Sequence, residues 1–106
     1  MSIQISAKPR GSELTGRLRR EAGSWLRDRR ETQGLSQREL ARRVQMEYYT
    51  FISQIESGRG RVPAERLEAW AQALEIGPQE FAKTLMQYYD PITYGLIFPP
   101  SNGTIL

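Results

Sequence analysis

The pattern of apolar residues predicts an all-α domain of five helices, followed by one short C-terminal strand. Apolar side chains recur at three- and four-residue steps over most of the chain, which is the spacing of one face of a helix. Gly and Pro residues interrupt this pattern at places that suit helix ends. The length of 106 residues suits one domain with a modest core. We therefore expect an N-terminal arm over residues 1–11, a helical domain over residues 12–90 and a tail over residues 91–106.

The first helix is expected to begin at Ser12, whose side chain can accept hydrogen bonds from the free amides of the first turn. The preceding arm is short and polar and contains Pro9 and Gly11, so we expect it to be flexible. One face of the helix carries Leu14, Leu18, Ala22, Trp25 and Leu26. Gly34 provides a left-handed cap at which the helix should stop.

The second and third helices are short and lie close together in the chain. Ser36 and Glu39 form the capping-box pattern that starts the second helix. The third helix is expected to run from about Tyr48 to Ser57 and to end at Gly58. The positions expected to be buried are Leu40, Ala41, Val44, Ile52 and Ile55. Two helices that cross steeply need a small residue at the crossing, and the alanine of this set occupies that place.

The spacing between these two helices indicates an insertion. The usual helix-turn-helix spacing would bury Phe51 and Gln54, and a buried Gln54 would need partners for its amide. Moving the pattern by one residue buries Ile52 and Ile55 instead. We therefore infer one extra residue, at Tyr48-Tyr49.

The rest of the chain predicts two more helices and a strand. Pro63 suits the first turn of the fourth helix, Gly77-Pro78 precedes the fifth, and Asp90-Pro91 closes it. The apolar positions of these helices are Leu67, Trp70, Ala71, Leu74, Phe81, Leu85 and one of Tyr88 or Tyr89. The segment 92–98 is β-branched and aromatic and lies between prolines, so a short strand is expected there.

The net charge of +3 conceals a strong asymmetry. Residues 1–43 hold 11 basic and 5 acidic residues, whereas residues 44–106 hold 4 basic and 7 acidic residues. All but two of the basic residues are Arg, whose planar guanidinium can bond two phosphate oxygens at once. Phosphate recognition and a solvated helix surface explain this composition equally well. A membrane surface fits less well, because Lys-rich faces are expected there.

Several function classes are excluded by composition. Without His or Cys the chain cannot hold a His- or Cys-based nucleophile system, a His or Cys zinc site, or a disulfide. It also lacks a Gly-rich phosphate loop and a plausible pair of carboxylates, so we expect no enzyme, no metal site and no cofactor. No secretory signal and no run of roughly 20 apolar residues is present, so we expect a cytoplasmic protein without membrane contact.

Three fragments in order resemble the Xre family of helix-turn-helix proteins, the group that contains phage Cro and lambda-type repressors. The fragments are Gly34 to Ala41 (GLSQRELA), Ile52 to Arg59 (ISQIESGR) and Leu67 to Leu74 (LEAWAQAL). The resemblance covers roughly residues 23–86 and implies a lambda-repressor-like helix-turn-helix domain. The chain departs from the family in two places: Gln45 stands where a turn glycine is usual, and one residue more precedes the third helix.

The resemblance implies sequence-specific binding of double-stranded DNA, with the third helix in the major groove. The side chains expected to contact bases are Tyr49, Thr50, Ser53 and Gln54. Those expected to contact phosphates are Gln37, Arg38, Tyr48, Ser57, Arg59 and Arg61. The Gln54 amide can bond adenine N6 and N7 together, and the two tyrosines suit either a thymine methyl or a phosphate. The alternative for Tyr48 is packing within the enlarged turn, and for Arg59 and Arg61 it is a solvated loop.

Glu56 matches a buried glutamate of the family that pairs with an arginine of the first helix, here Arg30. This structural ion pair is favoured over an acid–base role. Trp25 and Trp70 are assigned to the core rather than to base stacking, because they follow the helical spacing.

Two functions from different classes remain. The first is a transcription regulator, such as a repressor, that binds a palindromic operator as a homodimer. Its dimer contacts would come from strand pairing or swapping through Ile92, Tyr94, Leu96, Ile97 and Phe98. The second is an antitoxin or adaptor of the same fold that binds a protein partner through the tail. A tail packed on its own domain is the structural alternative to both uses of this segment.

Overall fold

Six α-helices and one turn of 3₁₀ helix form within residues 3–100, the part of the chain that the computed structural model describes, with side chains from Glu13 onward. The α-helices are α1 (Ile3–Thr32), α2 (Gln37–Arg43), α3 (Tyr49–Glu56), α4 (Leu67–Leu74), α5 (Pro78–Tyr89) and α6 (Pro91–Ile97). The 3₁₀ turn covers Ala64–Arg66, immediately before α4. The all-α prediction is confirmed, but the helices number six within this range instead of five.

The N-terminal segment differs from the sequence prediction. α1 begins at Ile3, so the predicted start of the first helix at Ser12 is wrong, and residues 1–2 of the predicted arm lie outside the described part. Extending an existing helix adds one hydrogen bond for each residue that is fixed. Pro9 has no backbone N–H, so the helix loses one hydrogen bond there, but the helical backbone continues through this residue.

The predicted C-terminal strand is wrong, because residues 91–97 form α6. Pro91 occupies the first turn, where its fixed φ favours a helix and its missing N–H costs nothing. The backbone N–H of Tyr94 donates to Asp90 at 2.9 Å and that of Phe98 to Tyr94 at 2.8 Å. A strand would need a neighbouring strand to satisfy these groups, and residues 3–100 contain none. Residues 101–106 of the predicted tail lie outside the described part.

One apolar core lies where α1 to α5 meet. Its largest fully buried side chains are Trp70, Phe81, Leu26, Leu40, Ile52, Leu74, Leu85, Val44 and Val62. The positions predicted to be buried in the second and third helices are all buried. Trp25 lies at the edge of the core, with its ring centroid 5.8 Å from that of Phe81. Leu14, predicted on the same face of α1, is 47% exposed and lines a groove of about 500 Å³ between α1 and α6.

α2 begins with the predicted capping box. The Ser36 hydroxyl accepts from the Glu39 N–H at 3.0 Å, and the Glu39 carboxylate accepts from the Ser36 N–H at 3.0 Å. Hydrogen bonding of the Glu39 carboxylate to the Ser36 backbone N–H, and then its interaction with the Ser36 side chain, holds the pKa of Glu39 below its usual value. Folding therefore favours the charged carboxylate. The cap contributes to stability above the ordinary pKa of a glutamate, and that contribution is lost as the pH falls through the lowered pKa.

The turn between α2 and α3 contains a left-handed residue that is not glycine. Gln45 has φ of 59°, and its N–H donates to Arg42 while that of Met46 donates to Ala41. Both bonds satisfy carbonyls at the end of α2. A glycine adopts this φ without the steric cost that a Cβ brings, which explains the glycine that is usual in the Xre pattern at this place.

α1 and α3 approach closely at a glycine. A Cβ built on Gly23 would lie 2.2 Å from the carbonyl oxygen of Glu56 and 2.7 Å from that of Ile55. No atom of these two backbones can yield without moving one helix against the other. Gly23 therefore sets the distance between α1 and the end of α3.

We predict opposite effects for alanine at the two glycines of α1 within the described side-chain range. Gly23→Ala should lower the free energy of unfolding by about 2 kcal/mol or more, because overpacking outweighs the gain of about 1 kcal/mol in helix propensity. Gly16→Ala is the matched control, since its Cβ would meet only the flexible guanidinium of Arg20 at 3.3 Å. It should gain up to about 1 kcal/mol. Urea denaturation measures both, and a Gly23→Ala variant as stable as Gly16→Ala would refute the close contact.

Candidate nucleic-acid interface

α3 presents a polar face to solvent while its other face fills the core. Ile52 and Ile55 point inward and pack with α1 and α2, as their spacing predicts. The exposed side chains of α3 and its C-cap include Thr50, Ser53, Gln54 and Ser57. The helix is eight residues long and begins after Tyr48, whose side chain makes no capping hydrogen bond. The face expected to read bases is therefore accessible.

A buried polar network fixes α3 against α1 and α2. Arg30 Nε donates to Glu56 Oε2 at 2.7 Å and Arg30 Nη2 donates to Glu56 Oε1 at 3.1 Å. Arg30 Nη1 donates to the Leu35 carbonyl at 2.7 Å, just before α2. Gln37 Nε2 adds a fourth bond, to Glu56 Oε1 at 3.0 Å. The hydrogen bond to Glu56 holds the pKa of Arg30 above its usual value despite burial, so the guanidinium is charged.

Gln37 thereby links this network to the surface. It is half-buried at the first position of α2, and one N–H of its amide is used by Glu56. A primary amide has a second N–H, which is available to a ligand. The side chain is thus held at the place where the resemblance implies a phosphate contact.

The other residues expected at phosphates differ in their surroundings. The guanidinium of Arg38 lies 4.3 Å from the ring centroid of Tyr49, so these two predicted contact residues lie together. Ser57 Oγ donates to the Gln54 carbonyl at 3.0 Å, and Arg59 is exposed. Within the described residues, no carboxylate lies within 4.0 Å of Arg38 or Arg59.

Arg61 is held elsewhere. Its Nη2 lies 3.1 Å from Asp90 Oδ2, and its guanidinium lies 4.5 Å from the ring centroid of Tyr89. The Tyr89 hydroxyl accepts from the Val62 N–H at 3.3 Å, and burial raises the pKa of Tyr89. These contacts tie the loop after α3 to the end of α5. The structure therefore holds the Arg61 guanidinium against the end of α5.

Arg20 lies beside the loop that carries Arg59. The sequence analysis did not predict this position of Arg20. Gly58 has φ of 89°, and a Cβ built on it would lie 2.7 Å from Arg20 Cγ. The arginine is exposed and forms no ion pair within the described residues. No pattern in the sequence connects two residues so far apart, because their contact depends on how α1 crosses the end of α3.

Phe51 is the second residue that sequence reasoning missed. Its exclusion from the core is confirmed, because its side chain is 43% exposed. Its ring centroid lies 6.0 Å from that of Tyr48, which is 56% exposed. Tyr49 is exposed as well, so three accessible aromatic side chains stand at the start of α3. Because Ile52 is predicted to point inward, its neighbour Phe51 is expected at the edge of the exposed face. This expectation is the only indication of an exposed Phe51 that the sequence provides.

The described part of the chain contains no group of three or more Asp or Glu side chains that could hold a metal ion. None of its helices is both long enough and apolar enough to cross a membrane.

The buried pair generates a stability prediction. Arg30→Met should lower the free energy of unfolding by about 3–5 kcal/mol, because it leaves the Glu56 carboxylate buried without its charge partner. Arg17→Ala is the control, since it removes an exposed pair with Glu21 at 3.9 Å and should cost less than about 1 kcal/mol. Chemical denaturation compares them. Similar losses in the two variants would show that the Arg30 pair does not stabilise the fold.

The comparisons with known proteins agree with this geometry. A family model described as helix-turn-helix matches residues 26–81, more than half of the chain. The matched range runs from the second half of α1 into the first turn of α5 and includes the whole buried network. Neither a curated protein nor a solved structure matches the chain significantly. The chain belongs to the Xre-like family of DNA-binding helix-turn-helix proteins.

Proposed function

We propose that the protein is a transcription regulator that binds a palindromic operator as a homodimer, with α3 in the major groove. The observation that carries this proposal is the exposed polar face of α3, which is held in one orientation by the Arg30, Glu56 and Gln37 network. A short helix presented in this way suits the major groove, where base edges show distinct donor and acceptor patterns.

The proposed base contacts are those of the sequence prediction. Gln54 is exposed, and its side-chain amide makes no hydrogen bond within the described residues, so both amide groups are available to an adenine. Thr50 and Ser53 share the exposed face with it. Tyr49 lies at the α2 side of this face, against Arg38.

The proposed phosphate contacts surround this face. They are Gln37, Arg38, Tyr48, Ser57 and Arg59 from the prediction, together with Arg20, which lies beside Gly58. Arg61, which is also predicted to contact phosphate, belongs to the proposed set on the condition that it exchanges its exposed ion pair with Asp90 for a phosphate oxygen. Contacts of this kind release counterions, so affinity should fall steeply as the salt concentration rises.

α6 is the proposed dimer contact, through helix packing in place of the strand pairing that the sequence suggested. Ile92 is 80% exposed and Leu96 is 78% exposed, one turn apart on the same helix face. Ile97 and Phe98 extend this apolar surface, while Tyr94 is half-buried against the Phe98 ring. No charged residue occurs between Pro91 and Pro100, but the Lys83 ammonium of α5 lies 4.4 Å from the Phe98 ring centroid, so a two-fold contact without electrostatic repulsion would centre on Ile92 and Leu96.

The base-reading assignment is tested with two glutamine variants. Gln54→Ala and Gln37→Ala should each weaken operator binding, the first by about 1–3 kcal/mol if it loses a bidentate contact to adenine. Only Gln54→Ala should change which sequences are preferred, because phosphate contacts carry no sequence information. A selection from random duplexes followed by titration measures preference and affinity. If neither variant binds the selected operator more weakly, α3 does not read the DNA.

The dimer assignment is tested by charge. Leu96→Asp should convert a dimer into a monomer, because it would bury two carboxylates at the two-fold contact. Gln87→Asp, exposed on α5, is the control and should leave the dimer intact. Sedimentation equilibrium measures the mass.

Operators selected by a dimer should show two half-sites about 34 Å apart. A monomeric parent protein would contradict the dimer. A stoichiometric partner that is lost with Leu96→Asp, without any sequence-specific footprint, would favour the antitoxin or adaptor alternative.

A further inference from the structure

We infer that Phe51 is a specificity-determining residue that binds the C5-methyl group of a thymine in each half-site. This inference rests on the proposed function, because it assumes that α3 enters the major groove of a specific DNA sequence.

Phe51 is an apolar surface residue rather than a displaced core residue. The inward positions of α3 are already filled by Ile52 and Ile55, and both are buried. Phe51 is 43% exposed, and its only ring contact within the described residues is with Tyr48, itself 56% exposed. A pair of rings left in water at the start of a recognition helix is an apolar patch that a ligand can cover.

Phe51 also shares one edge of α3 with the residue proposed to read adenine. Tyr48, Phe51 and Gln54 follow each other at intervals of three, so their side chains are neighbours along the helix surface. The spacing between Phe51 and Gln54 corresponds to about 4.5 Å along the helix axis. This is close to the rise of about 3.4 Å between base pairs, so the two side chains would face neighbouring pairs.

The charge around the patch favours DNA as the ligand. Arg38, Arg42 and Arg43 are exposed on α2, along the edge of α3 opposite to Phe51, where Arg38 contacts Tyr49, and none of the three forms an ion pair within the described part of the chain. A ligand that spans α3 from the Phe51 edge to these arginines must be apolar where it covers the rings and anionic where it meets the guanidinium groups. The major groove over A·T pairs has this combination, because thymine methyl groups lie between two phosphate backbones.

The contact of the Phe51 ring is specific for the C5-methyl group of thymine. A phenyl ring cannot donate or accept a conventional hydrogen bond, so it cannot distinguish bases by the groups that Gln54 reads. It gains free energy only by excluding water from apolar surface, and the methyl group of thymine is the apolar group of the major groove edges. Phe51 therefore distinguishes thymine from cytosine and from uracil at the same position.

The experiment uses the full chain and replaces thymine by uracil, which removes only the methyl group. Duplexes that bind the protein are first selected from a random library. The selected operator is then synthesised with each thymine of a half-site replaced in turn by uracil, and each duplex is titrated by fluorescence anisotropy. At one position the parent protein should bind the uracil duplex about fourfold more weakly, the factor expected for burying one methyl group.

The decisive comparison is with a variant that lacks the ring. Phe51→Ala should bind the thymine and uracil duplexes with equal affinity at that position, while Phe51→Leu should keep part of the preference. Leu14→Ala is the matched control, since Leu14 is another exposed apolar side chain, placed in the groove between α1 and α6. It should keep the full difference between thymine and uracil. Circular dichroism confirms that the variants are folded.

The outcomes separate this inference from the proposed function. If the selection enriches no sequence, the proposed function fails and the inference fails with it. If a sequence is enriched but uracil is tolerated at every position, or Phe51→Ala keeps the discrimination, only the inference is overturned. In the latter case Tyr48 or Tyr49 reads the methyl group. A protein ligand that is lost with Phe51→Ala, without any difference between thymine and uracil, would also overturn it.

Discussion

The buried ion pair between Arg30 and Glu56 is the contact on which the arrangement of the first three helices depends. It joins α1 to the last residue of α3 and, through the Leu35 carbonyl, to the chain entering α2. Burying two charges is costly unless geometry and further hydrogen bonds compensate, and here the carboxylate is bonded on both oxygens. An orientation of α3 that broke these bonds would leave a charge unpaired in the interior. The pair therefore restricts α3 to one position.

Two backbone features make that position reachable. Gly23 lets α1 come within contact distance of the Glu56 carbonyl, where any side chain would separate the helices. Gln45 turns the chain with a left-handed φ at the end of α2, so that α3 can cross it. The second feature stores some strain, since an L-residue tolerates this conformation less well than glycine. Together they show how a helix-turn-helix is retained although the turn sequence departs from the usual pattern.

The basic character of the N-terminal half resolves into distinct groups in the structure. Arg30 is internal, Arg17 pairs with Glu21 on the surface of α1, and Arg61 is bound by Asp90. The exposed arginines of α2, and Arg59 in the loop after α3, remain without carboxylate partners in the described residues, and they border the exposed face of α3. Arg20 belongs to this border as well. Charge available to phosphate is thus concentrated where the proposed base contacts lie.

The amino-acid pattern was sufficient for the caps and buried faces of the second and third helices, which depend on neighbours along the chain. It predicted the capping box at Ser36 and the inward pair Ile52 and Ile55, because caps and helix faces follow from residues three or four apart. It failed at residues 92–98, since strand propensity describes a side chain's fit to a sheet and no strand partner exists among the described residues. Two contacts could not be predicted at all: the position of Arg20 beside Gly58 and the ion pair between Arg61 and Asp90. Both depend on how separate helices pack, and packing is decided by the shapes of surfaces that meet only after the chain has folded.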